Sequence, residues 1–192
     1  MSNATTAQPL VLVPGLLCDA LLWAPQIDAL AGIADAWVPA PTQHATVEDL
    51  ARAVLAASAQ RRELVARSQA EGLGAVAEAL LPRLVWPQAP RHAALHAVVR
   101  SMARNVGAEA FVRQQEAIIG RPDPRAALRN VACPTLVACG AQDILTPPAA
   151  HEEIAALVPG ARLQLFPDCG HLSTLEQPAV VNQALRDWLL GR

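Results

Sequence analysis

Asp143 stands in Gly140-Ala141-Gln142-Asp143, and His171 follows 28 residues later in Asp168-Cys169-Gly170-His171. A carboxylate and an imidazole in such contexts look like the acid and base of a nucleophilic triad. In that chemistry a hydroxyl or thiol attacks a carbonyl carbon and the histidine takes its proton. The carboxylate fixes the imidazole tautomer and stabilises its charged form. Two of the three parts can be named here, and no nucleophile motif precedes them.

Other residues with chemical potential are poorer candidates. His92 and His96 are four apart on an expected helix and could form half a metal site. No carboxylate or cysteine near them in sequence completes it, so a solvated helix face is the expectation and no metal is assigned. His44 reads as a loop residue and His151 as the start of a helix. The four cysteines, Cys18, Cys133, Cys139 and Cys169, form no C-x-x-C pair and no zinc spacing. Reduced thiols in a cytoplasmic protein are expected.

The elements that must hold Asp143 and His171 read as alternating strands and helices at both ends of the chain. Pro9 to Val13 is a continuously apolar run stopped by Pro14-Gly15. That pattern suits a parallel strand buried on both faces. A helix is expected over Leu21 to Ala31, with Leu22, Ile27 and Leu30 on one side, then a strand around Ala36 to Pro39. Thr46-Val47-Glu48-Asp49 carries the hydroxyl and carboxylate of a variant capping box, so a helix should start there. Its apolar stripe predicts inward positions at 58, 61 and 62, where Ser58, Arg61 and Arg62 stand, so the phase breaks across 58 to 63.

From Leu64 to Arg129 the composition is helical, with breaks expected at Pro82, Pro87 to Pro90, Gly107, and Gly120 to Pro124, and no strand. Trp86, Leu95, Val98, Val99, Met102, Phe111 and Ile118 should line the inner helix faces. Strand and helix then alternate again: Thr135 to Cys139, Pro148 to Leu157, Arg162 to Phe166, and Pro178 to Leu190. Strands alternating with helices imply a parallel sheet.

The chain has 192 residues, 53% of them hydrophobic, enough to bury one core in a single domain. A net charge of -2 gives no basic surplus for phosphates or anionic lipid. Neither nucleic acid nor a membrane is therefore an expected partner. Residues 1 to 8 lack the basic start of a signal peptide, and no apolar run is long enough for a membrane span.

Leu10-Val11-Leu12-Val13-Pro14-Gly15-Leu16-Leu17, Cys133 through Asp143, and Asp168 through His171 together resemble the α/β-hydrolase superfamily, specifically its small esterase and haloperoxidase-like branch. The resemblance implies a shortened α/β-hydrolase fold: a mainly parallel sheet of about four strands, with a helical cap between the strand pairs. It divides the single domain into an N-terminal part (1–60), a cap (61–130) and a C-terminal part (131–192). It assigns the catalytic acid to Asp143 and the base to His171, and makes the backbone amides of Leu16 or Leu17 oxyanion-hole candidates. No cofactor is implied.

The same resemblance calls for a G-x-S-x-G nucleophile elbow between the second helix and the cap. Ser58, Ser68, Ser101 and Ser173 all lack glycine two positions to either side, and the cysteines and aspartates fail the same test. A βαβ unit takes roughly 30 residues or more, and here the helix from Thr46 runs almost directly into Arg61-Arg62-Glu63-Leu64. The expectation is a deletion form or remnant with little hydrolase activity. Two alternatives accompany it. One is an active esterase with a substitute nucleophile, Ser58 first, then Cys18 or Cys169; the other is a non-catalytic protein binding a small hydrophobic, ester-like molecule against Trp23, Trp86 and Leu17. Loss of central strands would leave two exposed edges. Direct pairing of residues 10–13 with 135–139 would repair them, and pairing between chains in a homodimer is the second route.

Overall fold

A computed structural model describes residues 8–11, 20–37, 54–89, 92–119 and 125–191. Strand β1 (Gln8–Val11) pairs in parallel with β2 (Ala34–Trp37), Gln8 opposite Ala34 and Val11 opposite Trp37. Between them lie a single 3-10 turn (Ala20–Leu22) and helix α1 (Ala24–Leu30), which Pro25 opens at a position where no amide proton is needed. Strand β3 (Leu136–Gly140) pairs in parallel with β4 (Arg162–Phe166), with α6 (Pro148–Leu157) between them. The two pairs enclose a helical middle: α2 (Val54–Glu71), α3 (Leu73–Leu84), α4 (His92–Ile119) and the short α5 (Arg125–Leu128). Helices α7 (Ser173–Glu176) and α8 (Pro178–Leu189) close the chain.

The expected order of strands and helices is present, and both pairings are parallel. The expected direct ladder between residues 10–13 and 135–139 is not: among the described residues the strands form two two-stranded ladders, β1-β2 and β3-β4. Within each ladder the two strands pair with one another, and the connection between them contains a short helix. Leu12, Val13 and the helix start expected at Thr46 lie outside the described residues.

Two corrections concern the helices. The break in apolar phase at 58 to 63 does not interrupt α2, which runs on to Glu71, so the expected division at residue 60 falls inside a helix. Ala, Gln, Arg, Glu and Leu all favour helix, and losing the stripe changes which face is buried without ending the hydrogen-bond ladder. Pro82 lies inside α3, which ends two residues later at Leu84, while Gly72, at φ 83°, separates α2 from α3. Only glycine adopts such a φ readily. The break expected at Gly107 is present: at φ 74° and ψ 160° its backbone leaves the helical region and kinks α4.

Helices α3 and α4 supply most of the main core. Val76, Leu80, Leu81, Leu84, Leu95, Val99, Met102 and Phe111 are buried together, with Trp86, Val98 and Leu64 packed at the margin. Ile118 is only half-buried. A smaller cluster joins Phe166 and Cys169 to Val181 of α8, so the last strand is fastened to the last helix directly beside His171. Helix α1 docks on α7 and α8 through polar bonds. Gln26 Nε2 donates to the Thr174 carbonyl (3.0 Å), Asn182 Nδ2 donates to the Pro25 carbonyl (3.1 Å), and Arg186 reaches the Ala29 carbonyl. No helix among the described residues is long and apolar enough to cross a membrane.

Candidate active site

Because β3 and β4 are parallel neighbours, the loops after them emerge side by side, the position where open α/β sheets place their ligands. Asp143 lies on the loop after β3 and His171 on the loop after β4. The loops are laced by backbone: the Ala141 amide donates to the Phe166 carbonyl (2.8 Å) and the Gln142 amide to the Cys169 carbonyl (2.9 Å). Gln142 Oε1 in return accepts the Cys169 amide (2.8 Å). Asp168, the single non-glycine residue with positive φ among those described, turns the second loop at 52°.

The Asp143 carboxylate is almost fully buried and accepts four hydrogen bonds. Oδ1 takes the amides of Leu145 (2.8 Å) and Thr146 (3.0 Å), an Asx-type turn that fixes the carboxylate plane. Oδ2 takes the Thr146 hydroxyl (2.8 Å) and faces His171 Nδ1 at 2.9 Å. Burial alone would raise this acid; the His171 hydrogen bond and charge, with the Thr146 amide and hydroxyl, outweigh it and hold the carboxyl at about 2. An ionised Asp143 accepts a hydrogen bond from the Nδ1 N-H, so the neutral ring carries its free lone pair on Nε2. The His171 side chain is 32% exposed against 4% for Asp143: the acid is sheltered and the base reaches solvent. Among the described residues no side chain bonds Nε2.

A second buried carboxylate, Glu176 of α7, lies behind His171. Its Oε2 accepts the amides of Gly170 and Trp86, each at 3.0 Å, and Oε1 accepts that of Leu172 at 3.0 Å. Sequence reasoning missed this residue and Gln142, because both act on backbone groups that leave no mark in a motif.

A cleft of about 400 Å³ opens beside Asp143, walled by Pro82 of α3, by Val85 and Trp86 just after that helix, and by Gln142, Ile144 and Gly170 from the two loops. Trp86 lines this cleft. Trp23 is not among its lining residues and packs against the helical core. Leu16, Leu17 and Cys18 lie outside the described residues, as does the Ser58 side chain. The backbone of Ser58 lies within α2.

Cys169 is fully buried, its Sγ directed at the Gly170 carbonyl, and burial pushes its thiol up to about 12; the same cause takes Cys139 to about 11. Neither resembles an activated nucleophile, which needs a depressed pKa or an adjacent base. Ser68 spends its hydroxyl on the Val65 carbonyl at 2.7 Å. The His92 and His96 rings lie 4.0 Å apart between centroids at a tilt of 55°, and both residues are half-buried, so the solvated helix face expected for them is corrected. Burial lowers the pKa of His96, and its Nε2 has no partner. His151 sits on α6 with Nδ1 3.3 Å from the Pro147 carbonyl, and His44 lies outside the described residues.

Fold and site together define an α/β protein with an acid and imidazole paired on loops beyond parallel strands. The model of the alpha/beta hydrolase fold family matches residues 64–178, more than half of the chain. The chain belongs to that family. Among curated relatives, the pimeloyl-[acyl-carrier protein] methyl ester esterase of Aromatoleum aromaticum is 44% identical over 74 residues, 38% of this chain and 30% of that protein. The matched segments thus span less than a third of these relatives' lengths, 22% in another case. Among solved structures, a thermophilic esterase from Thermogutta terrifontis has a TM-score of 0.83 at 22% identity, covering 98% of this chain and 91% of that one. The enol-lactonase from Burkholderia xenovorans LB400 has a TM-score of 0.79 at 21% identity, covering 98% and 94%. At such identities the likeness establishes the fold.

Proposed function

We propose that this chain is an ester-hydrolase relative that keeps the acid Asp143 and the base His171 but has no G-x-S-x-G nucleophile, and so has little hydrolase turnover of its own. The observation carrying this reading is the contrast between an assembled acid-base pair and a sequence in which no serine has flanking glycines at the required spacing. Without a nucleophile, His171 Nε2 can at most activate a water, and the covalent route that splits acyl transfer into two easier steps is closed. Removing one triad member typically leaves only the residual catalysis of binding and the oxyanion hole. The test is hydrolysis of short-chain aryl esters by the purified chain. Turnover far below the usual range of about 1 to 1,000 per second, little changed by His171→Ala, is expected. Turnover within that range and abolished by His171→Ala would overturn the reading.

A second reading, binding without turnover, is favoured by the cleft beside Asp143. Its walls at Pro82, Val85, Trp86 and Ile144 suit a small hydrophobic, ester-like molecule. Such a ligand should change tryptophan fluorescence on titration, and Trp86→Ala should abolish that response. A cytoplasmic setting fits this proposal, supported by the free thiols of Cys133, Cys139 and Cys169. A homodimer through strand edges is a further element of it, supported by two separate ladders of only two described strands each.

A further inference from the structure

The amides that Glu176 accepts are not scattered. Gly170 and Leu172 flank His171 on either side, and Trp86 is part of the cleft wall. The carboxylate is 4% exposed, and its three acceptor contacts all go to backbone N-H groups. Burying an anion in this way is costly unless its lone pairs are met, and three charge-assisted bonds meet them. The fit is close: a Cβ added to Gly170 would stand 2.9 Å from the Trp86 nitrogen and 3.1 Å from Glu176 Oε1. The Leu172 amide also leans on the Leu84 carbonyl at 3.3 Å, so the end of α3 and the His171 turn meet at one point.

We propose that Glu176 is the positioning residue for His171. It fixes the backbone on both sides of the imidazole and locks that turn to the cleft wall at Trp86, while Asp143 sets the rotation of the ring. Glu176 settles where the base stands, and Asp143 settles which nitrogen it presents. This division of roles concerns geometry and holds whether or not ester turnover survives. Its failure would therefore leave the proposed function untouched, and the reverse is also true.

The experiment is NMR on the full chain. In the native protein the Gly170, Leu172 and Trp86 amides should be among the slowly exchanging ones, although all three lie outside the helices and strands. The Nδ1 proton of His171 should give a low-field resonance that Asp143→Asn removes. Glu176→Gln keeps the side chain's size but replaces one acceptor oxygen with an NH2 group facing an N-H donor. Exchange at those three amides should rise about tenfold or more beyond any global change, and the His171 resonance should shift or broaden. Glu176→Asp, too short to reach all three amides, should give an intermediate result. Rapid exchange of the three amides in the native protein would overturn the inference without any variant. So would an unaltered His171 resonance in a folded Glu176→Gln, or an exchange increase spread evenly over the chain.

Discussion

A Cβ on Gly140 would stand 2.1 Å from the Gly170 carbonyl oxygen and 2.4 Å from that of Cys169. The end of β3 therefore lies against the turn that carries His171, with no room for a side chain between backbones. Both obstructing atoms are main-chain, so neither can rotate away. Gly140→Ala should cost about 3 kcal/mol or more, at the upper end of overpacking penalties. It should also lengthen the Asp143 to His171 contact, because the two loops must part. Urea denaturation checks the first outcome, and loss of the low-field His171 proton checks the second. A variant as stable as the parent would refute the close approach.

The buried Asp143 carboxyl also makes stability depend on acid. Its folded value, about 2, lies below the ordinary 3.8. The unfolded chain therefore binds the proton more readily, and the stabilisation is fully present above about pH 4. It is lost as pH falls through the folded value. A difference of this size corresponds to about 2 kcal/mol. Denaturant midpoints measured from pH 5 to pH 2 should fall more steeply in the parent than in Asp143→Asn, which lacks the titrating group. Equal slopes would show that the pair contributes nothing to the acid limb.

Asp143 and His171 were legible in the sequence because each follows an apolar run, in a glycine-bearing turn, with a helix behind it. Glu176 was not, since a carboxylate that serves backbone amides looks like any glutamate near a helix start. Gln26 was hidden for a related reason. Leu22, Gln26 and Leu30 form one stripe of buried positions four apart, but the polar middle member diverted the expected face to Ile27, which is only half-buried. The arrangement of the strands was the least legible part. Apolar runs reveal that a strand is buried, whereas the choice of neighbour depends on which edges come within reach. Among the described residues β1 pairs with β2 and β3 with β4.

Thiol accessibility separates the cysteines without reference to turnover. Cys133 is exposed, while Cys139 and Cys169 are buried with thiols pushed up to about 11 and about 12. The thiolate is the reactive form. Iodoacetamide at neutral pH, followed by peptide mass analysis, should modify Cys133 readily and leave Cys139 and Cys169 intact until the chain is unfolded. Modification of native Cys169 at a rate near that of Cys133 would restore it as a substitute nucleophile.

Gln26 offers a test of how α1 is held to the C-terminal helices. It is fully buried, with Nε2 bonded to the Thr174 carbonyl at 3.0 Å and Oε1 without a partner. Two effects compete in its replacement. Gln26→Ala loses the bond and opens a cavity, so a cost of about 2 to 3 kcal/mol is expected. Gln26→Leu loses the same bond, but it fills the space with carbon and removes the unpaired Oε1, whose burial is itself a cost of about 1 to 3 kcal/mol. The second variant should therefore stay within about 1 kcal/mol of the parent. Denaturation midpoints of the two variants decide the matter: if Gln26→Leu is as unstable as Gln26→Ala, the bond to Thr174 outweighs packing in fastening α1 to α7.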